Sequence, residues 1–173
     1  MQRPNLDTVP TFYKNYVNHV KDAEMLAALE SSNQQVLKLV RSLPLDKGAY
    51  RYQPGKWSIQ ELLCHMMDAE RIFAYRALRF ARNDKKELQG FDENTYAPEA
   101  NAHGRTLSQL ADEMERLRRT TLDLFASFTP EMLQRTGKAN NTEISVLNLG
   151  YIIAGHETHH CNVLRERYLT NKV

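Results

Sequence analysis

The chain has 173 residues, and its 42% hydrophobic and 25% charged side chains are typical of a globular protein that forms one domain over residues 1–173. Its 23 basic and 21 acidic residues leave a net charge of +2, which argues against the strongly basic surface of a nucleic-acid-binding protein. No apolar run reaches the ~20 residues of a membrane span and no signal-peptide core follows Met1, so we expect a cytoplasmic protein with neither a membrane nor a nucleic acid as partner.

The spacing of apolar residues predicts a chain built from helices. Glycine and proline number only seven and six, and no strand-like alternation lasts long enough to build a sheet. After an irregular start to about Pro10, an amphipathic segment around Tyr16 leads into a first long helix, which should end before Pro44.

The second predicted helix has the clearest start. Ser58 and Glu61 form the pattern of a capping box, in which the Ser58 hydroxyl accepts from the Glu61 amide and the Glu61 carboxylate accepts from the Ser58 amide. The helix should run to about Arg82. Its apolar stripe includes His65, so we expect this imidazole to face inward.

A long polar connection over residues 83–105 follows the second helix. Connections of this length are uncommon in compact domains, and in a bundle they permit a crossover that leaves two neighbouring helices parallel. The predicted fold is therefore all-α, a four-helix bundle with a long connection between helices two and three. The bounds expected for the third and fourth helices are Thr106 or Leu107 to Phe128, and Thr142 or Ser145 to Tyr168.

Three of the six histidines lie within five residues near the end of the chain. On a helix, His156 and His160 would be only ~40° apart around the axis and ~6 Å along it, which is the spacing of a metal chelate. If the second and fourth helices are neighbours, His65 would complete three nitrogen ligands and leave a position open for water or substrate. Catalytic zinc sites have this form. His159 could replace His160 as the chelating partner, but only His160 continues the apolar stripe.

Simpler interpretations of the same residues compete with a metal site. A histidine pair four residues apart on a helix is often just two polar side chains, and a buried imidazole is often a hydrogen-bonded core residue. Residues 156–160 also match the H-E-x-x-H pattern of zinc peptidases, but no histidine follows His160 to act as their third ligand. Cys64 and Cys161 each adjoin a candidate histidine, and because neighbours on a helix point ~100° apart, packed core thiols are the favoured interpretation.

Three segments resemble the signatures of a known family, in the order in which that family has them. They are residues 55–76 (GKWSIQELLCHMMDAERIFAYR), residues 90–96 (GFDENTY) and residues 155–160 (GHETHH). Together they are similar to the DinB/YfiT-like superfamily. The resemblance implies a four-helix bundle in which His65, His156 and His160 bind a metal. It also implies a metal-dependent hydrolase, or an S-transferase or isomerase that uses a low-molecular-weight thiol such as bacillithiol or mycothiol.

The predicted function is therefore metal-dependent chemistry on a small molecule. One divalent ion, zinc or nickel, would be the cofactor, and a low-molecular-weight thiol could serve as cosubstrate. The competing class is a non-catalytic stress-response module that binds a metal or a partner without turnover. Residues expected to orient the ligands or to line the pocket are Asp68, Glu157, His159, Tyr75, Arg76, Tyr96 and Asn162.

A homodimer is the predicted assembly. Helices two and three carry more apolar side chains than one core stripe uses, and an apolar face without a partner most often closes a two-fold interface. Packing of these side chains under the connection at residues 83–105 would instead cover that face within one subunit. The side chains concerned are Tyr75, Leu78, Phe80, Phe125 and Phe128.

Overall fold

The computed structural model describes residues 3–169, and within them four long helices form a bundle. Shorter helices and one hairpin connect the long ones. A π-helical turn, Leu164–Tyr168, ends the described part of the chain. In chain order the elements are α1 (Lys14–His19), α2 (Met25–Arg41), α3 (Ile59–Ala81), α4 (Glu93–Glu99), α5 (Leu107–Ala126), α6 (Pro130–Gln134), β1 (Thr136–Ala139), β2 (Thr142–Ser145) and α7 (Val146–Val163).

The long helices are arranged so that α2 and α3 each pack against both α5 and α7. Side-chain contacts give their directions. Arg105, just before α5, contacts Cys64 near the start of α3, and Arg118 farther along α5 contacts Glu70 farther along α3. The neighbours α3 and α5 are therefore parallel, and the connection at residues 83–105 is the predicted crossover. This connection is not structureless, because it contains α4.

The predicted helix starts are confirmed where local capping chemistry determines them. Ser58 and Glu61 make both hydrogen bonds of the capping box, and α3 runs to Ala81, one residue short of the predicted Arg82. Thr106 makes a second capping box with Gln109 at the start of α5. Of the two predicted starts of the last helix, Ser145 is the N-cap.

A short antiparallel hairpin is the feature that the sequence prediction missed. Strands β1 and β2 pair through Thr136–Ser145 and Ala139–Thr142, and residue 142 therefore lies in a strand rather than at a helix start. The turn residues Asn140 and Asn141 have φ values of 49° and 58°, the left-handed conformation of a tight hairpin turn. The four-residue strands are too short to give an alternating pattern of hydrophobicity. Leu88 of the connection bonds to the outer edge of β1.

Helices α3 and α5 are the predicted helices two and three. Most of the apolar side chains proposed as their dimer interface are buried within the chain. Phe80, Phe125 and Phe128 are almost fully buried, and the hairpin packs on Phe80 so closely that a side chain at Gly137 would overlap its ring. Tyr75 remains half exposed. The homodimer stays a prediction, and those three phenylalanines do not supply its interface. No helix within residues 3–169 has both the length and the apolar character needed to cross a membrane.

The amphipathic segment predicted before the first long helix is a separate short helix, α1, because non-helical residues separate it from α2. This break lets α1 lie across α7 at Gly155. A methyl group at Gly155 would overlap the backbone carbonyl of Tyr16, and backbone cannot swing aside as a side chain can. Close contact between the two backbones therefore requires glycine at this position and places Tyr16 beside the histidines.

We expect Gly155→Ala to lower the free energy of unfolding by about 1–3 kcal/mol or more, because overpacking outweighs the helix propensity that alanine adds. Gly150→Ala in the same helix is the matched control. Its methyl group would meet side-chain atoms of Met25 and Phe125, which can adjust. Urea denaturation of both variants measures the difference, and a Gly155→Ala protein as stable as the control would refute the backbone contact.

Candidate metal centre

The structure brings the three predicted histidines together at one end of the α3–α7 contact. His65 lies near the start of α3, and His156 and His160 lie one turn apart near the end of α7. The Nε2 atom of His156 is 3.1 Å from the Nε2 atoms of both His65 and His160. One ligand atom from each residue falls within 4.8 Å of the others, which is the arrangement required to bind one metal ion.

Burial keeps these imidazoles neutral. His65 is 9% exposed and His156 is 6% exposed. Removal from water lowers the pKa of His65 to about 4, although the nearby charge of Glu93 acts in the opposite direction. Burial first, and neighbouring imidazoles second, hold the pKa values of His156 and His160 well below 6.5. Each ring therefore has an unprotonated nitrogen at neutral pH, as a metal ligand must.

Aromatic rings rather than carboxylates hold two of the histidines in place. Trp57 packs on His65 with ring centroids 4.8 Å apart, and Tyr16 meets His156 edge-on at 5.2 Å. The Nδ1 atom of His160 is buried and has no hydrogen-bond partner within residues 3–169. Neither Asp68 nor Glu157 makes a hydrogen bond to a histidine in that part of the chain, so their predicted role in orienting the ligands is not what the structure has.

Glu157 instead belongs to a buried polar network. Its carboxylate accepts from Ser32 at 2.6 Å and Asn33 at 3.1 Å, and it pairs with Arg118 at 2.8 Å. The physical reason is helix geometry: residue 157 points ~100° away from residue 156, toward α2 and α5 rather than toward α3. Asp68 is half-buried and pairs with Arg71 at 3.4 Å.

A cavity of about 290 Å³ opens directly onto the three histidines. Phe12, which is 74% exposed, lies at its mouth, so the cavity connects to solvent. Aromatic side chains form most of the wall. Polar groups other than the histidines come from Arg76, Glu93 and Asn140. The aromatic lining residues are Phe12, Tyr13, Tyr16, Trp57, Phe73 and Phe91.

Glu93 is the candidate site residue that the sequence analysis missed. It is the first residue of α4, directly after the N-cap Asp92, and it lines the cavity. After burial, the charge of Glu93 is the next largest cause of the raised pKa of Tyr16, so the Tyr16 hydroxyl stays protonated. Its only sequence signal was membership of the GFDENTY segment, where nothing distinguishes it from Asp92.

The other predicted pocket residues are distributed over three surfaces. Arg76 lines the histidine cavity, whereas Tyr75 and Tyr96 line a second cavity of about 510 Å³. Asn162 lies on the far side of α7, in a third cavity of about 390 Å³ that also includes His19. His159 packs between these regions, with its ring 5.4 Å from Tyr16 and 5.5 Å from His19. His19 is therefore partly buried against His159.

The two cysteines are buried, as the sequence analysis predicted. Cys64 accepts a hydrogen bond from Arg105 at 2.9 Å, and burial raises the pKa of its thiol to about 11. Burial also raises the pKa of Cys161. Neither thiol lines the histidine cavity. Both are therefore packing residues that stay protonated, and neither can act as a nucleophile in this cavity.

Comparison with known proteins agrees with this arrangement of helices and histidines. The family model of the DinB superfamily matches residues 28–164, from α2 to the π-helical turn and including all three histidines. The chain belongs to the DinB superfamily. A relative from Oceanobacillus iheyensis, provisionally named a metal-dependent hydrolase, is 27% identical over 141 residues, which are 79% of each chain.

Among solved structures, the DinB-superfamily chain is similar to YfiT from Bacillus subtilis, with a TM-score of 0.73 over 84% of each chain and 16% identity. YfiT is described, also provisionally, as a metal-dependent hydrolase with an unusual four-helix bundle topology. At this identity the likeness establishes the fold. It confirms the predicted four-helix bundle.

Proposed function

We propose that this chain is a metal-dependent hydrolase of a small molecule, with His65, His156 and His160 as the metal ligands. One observation carries the proposal. Three neutral imidazoles, drawn from two helices that are distant in sequence, present their Nε2 atoms to one point at the inner end of a solvent-connected cavity. Hydrogen bonding alone is a poor reason for this convergence, because the Nε2 atom of a neutral His156 has either one proton or one lone pair and so can properly serve only one of its two neighbours at 3.1 Å.

The two separations that involve His156 fit a divalent ion. Two ligands held at 2.0–2.1 Å with tetrahedral angles lie about 3.3 Å apart, and with octahedral angles about 2.9 Å apart. The two observed Nε2 separations are both 3.1 Å, between these values. An all-imidazole donor set suits zinc and nickel alike, so the proposal includes either ion.

When bound, such an ion would lower the pKa of a water or a thiol in its open position to near neutrality. The side chains of the cavity would then do the rest. Glu93 is the carboxylate among the lining residues, its charge acts on His65, and it would accept a proton from the nucleophile. Tyr16, kept protonated by burial and by Glu93, can donate its hydroxyl hydrogen to a substrate oxygen on which negative charge develops. Trp57 fixes the His65 ring.

The aromatic wall favours a second candidate, a thiol S-transferase. Here a low-molecular-weight thiol, bacillithiol-like in size, would take the place of water, and the aromatic side chains would hold an apolar electrophile. The thiol would have to come from outside, because Cys64 and Cys161 lie away from the cavity. The names of the Oceanobacillus and Bacillus relatives favour hydrolysis.

The test is turnover by zinc-loaded, nickel-loaded and chelator-treated protein against a panel of esters, amides and thiol–electrophile pairs. We expect Glu93→Gln to lower kcat at least 100-fold while metal content is unchanged, because a positioned general base contributes roughly 10²–10⁴-fold. Glu99→Gln, at the exposed end of the same helix, should stay within about twofold of the unaltered protein.

Each outcome distinguishes one class from another. Hydrolysis without added thiol supports the hydrolase, and turnover only with thiol supports the transferase. Metal binding with no turnover on any pair would indicate the non-catalytic module. An unchanged kcat in Glu93→Gln would remove Glu93 from the role of base.

A further inference from the structure

Arg76 is a buried cation for which the described chain supplies no anion. Its side chain is only 4% exposed. Among the described residues, its one side-chain hydrogen bond runs from Nη2 to the carbonyl of Gln89 at 3.0 Å, and its guanidinium lies 5.6 Å from the centre of the Phe73 ring. Within residues 3–169 no carboxylate forms an ion pair with it. By contrast, the buried Arg118 has two carboxylates and the partly exposed Arg79 has Asp84.

The position of Arg76 makes its donors accessible to a ligand. It lines both the histidine cavity and the second cavity, whose lining also includes Lys86 and Glu87, and Glu87 is paired with Lys138 at 3.2 Å. Arg76 is 11 residues after His65 on α3, a separation of about 16 Å along the axis and only ~20° around it. The two side chains therefore lie on the same face of one helix, and both line the histidine cavity.

A buried charge is costly unless an opposite charge or several hydrogen bonds compensate it. The Arg76 guanidinium has five N–H donors, and the structure uses one of them. The planar fork that remains matches the paired oxygens of a carboxylate or a phosphate. We propose that Arg76 binds a carboxylate or phosphate group at the end of the substrate remote from the histidines. The substrate class is thus an elongated small molecule with one anionic end.

This inference rests on the proposed function in one respect: the reacting end of the substrate is taken to lie at the metal site. The test is isothermal titration calorimetry of zinc-loaded protein with 6-mercaptohexanoate, 8-mercaptooctanoate and 6-mercaptohexyl phosphate, each against the ω-mercaptoalcohol of the same length. The thiol gives every probe the same affinity for the metal, so the difference within a pair reports the anion. At least one anionic probe should bind about tenfold or more tighter than its alcohol, since hydrogen bonds to a charged group contribute that much.

Arg76→Gln should abolish the preference for the anionic probe, so that the acid and its alcohol bind with affinities within about twofold of each other. The affinity for the alcohol and the metal content should stay unchanged. Arg79→Gln is the control, because Arg79 also lines the second cavity but already has Asp84. It should keep the preference. Arg76→Lys should keep part of it, since lysine retains the charge and loses the fork, and this variant serves if Arg76→Gln does not fold.

The outcomes separate this inference from the proposed function. Equal binding of acids and alcohols by the unaltered protein would overturn the role of Arg76 and leave the metal site standing. If no mercaptoalcohol binds, but hexanoate without a thiol binds in the unaltered protein and not in Arg76→Gln, the result supports the anion site and contradicts an open position on the metal. A preference that survives Arg76→Gln would place the anion elsewhere.

Discussion

Purified His160→Ala protein should hold far less than one equivalent of metal after dialysis, whereas His159→Ala should stay fully loaded. The two residues are neighbours, but only His160 places its Nε2 atom 3.1 Å from that of His156. The His159 ring instead packs against Tyr16 and His19. Loss of a group that merely orients a ligand costs 10–100-fold in metal affinity, so loss of a ligand should cost more than about 100-fold.

Elemental analysis of both proteins at neutral pH measures the difference, and the melting temperature of each shows that it is folded. His65→Ala should behave as His160→Ala does, because the third nitrogen comes from α3. Acid should release the ion from the unaltered protein, since protons compete for the same nitrogens. Equal metal content in the two α7 variants would refute the assignment of His160, and a loaded His65→Ala protein would refute the participation of α3.

The parts of this site that could be predicted from sequence are those that depend on local geometry. The four-residue interval between His156 and His160 determines their shared face on any helix. The Ser58 capping box determines where α3 begins, and with it the inward face of His65. The contact between α3 and α7 depends on tertiary packing, which the spacing of residues does not determine. The family resemblance was the reason to expect it.

The parts that could not be predicted depend on contacts between distant segments. Glu93 enters the cavity because α4 folds back over α3, and the sequence of a polar connection does not encode that path. The hairpin had one local signal, the Asn140–Asn141 pair, whose left-handed conformation suits a tight turn. Arg118 lies on a helix rich in charged residues, and nothing near it in sequence distinguishes it from Arg119, which is exposed.

Arg118→Ala should be the most destabilising single change outside the metal centre. The Arg118 side chain is 2% exposed and joins all four long helices. It pairs with Glu70 of α3 at 2.9 Å and Glu157 of α7 at 2.8 Å. It also donates to Ser32 and to the Leu29 carbonyl, both on α2. Burial alone would lower the pKa of Arg118, but the two carboxylates raise it, so it is charged throughout the accessible pH range.

Removing the guanidinium leaves two carboxylates buried without a cation, and breaking a buried ion pair in this way costs about 3–5 kcal/mol. For a chain of this size that loss corresponds to a fall in melting temperature on the order of 10 °C. Arg119→Ala is the matched control. Its side chain is 77% exposed and lies 3.7 Å from Glu115, so its removal should cost less than about 0.5 kcal/mol.

The difference in the free energy of unfolding between the unaltered protein and Arg118→Ala should become smaller as the pH falls from neutrality. Burial raises the pKa of Glu157 in the folded protein even with Arg118 present, and without the guanidinium that pKa rises further. The folded variant then takes up protons at a higher pH than its unfolded chain does, so acid stabilises it relative to neutral pH. Urea denaturation at several pH values measures this. If the free energy of unfolding of Arg118→Ala at neutral pH were within 1 kcal/mol of that of the unaltered protein, Glu70 and Glu157 would not require the Arg118 charge for stability. Glu157 directly follows His156, so the ion pair of Glu157 with Arg118 also anchors the part of α7 that positions His156 and His160. As the urea concentration rises, the Arg118→Ala protein should therefore lose metal affinity before it unfolds.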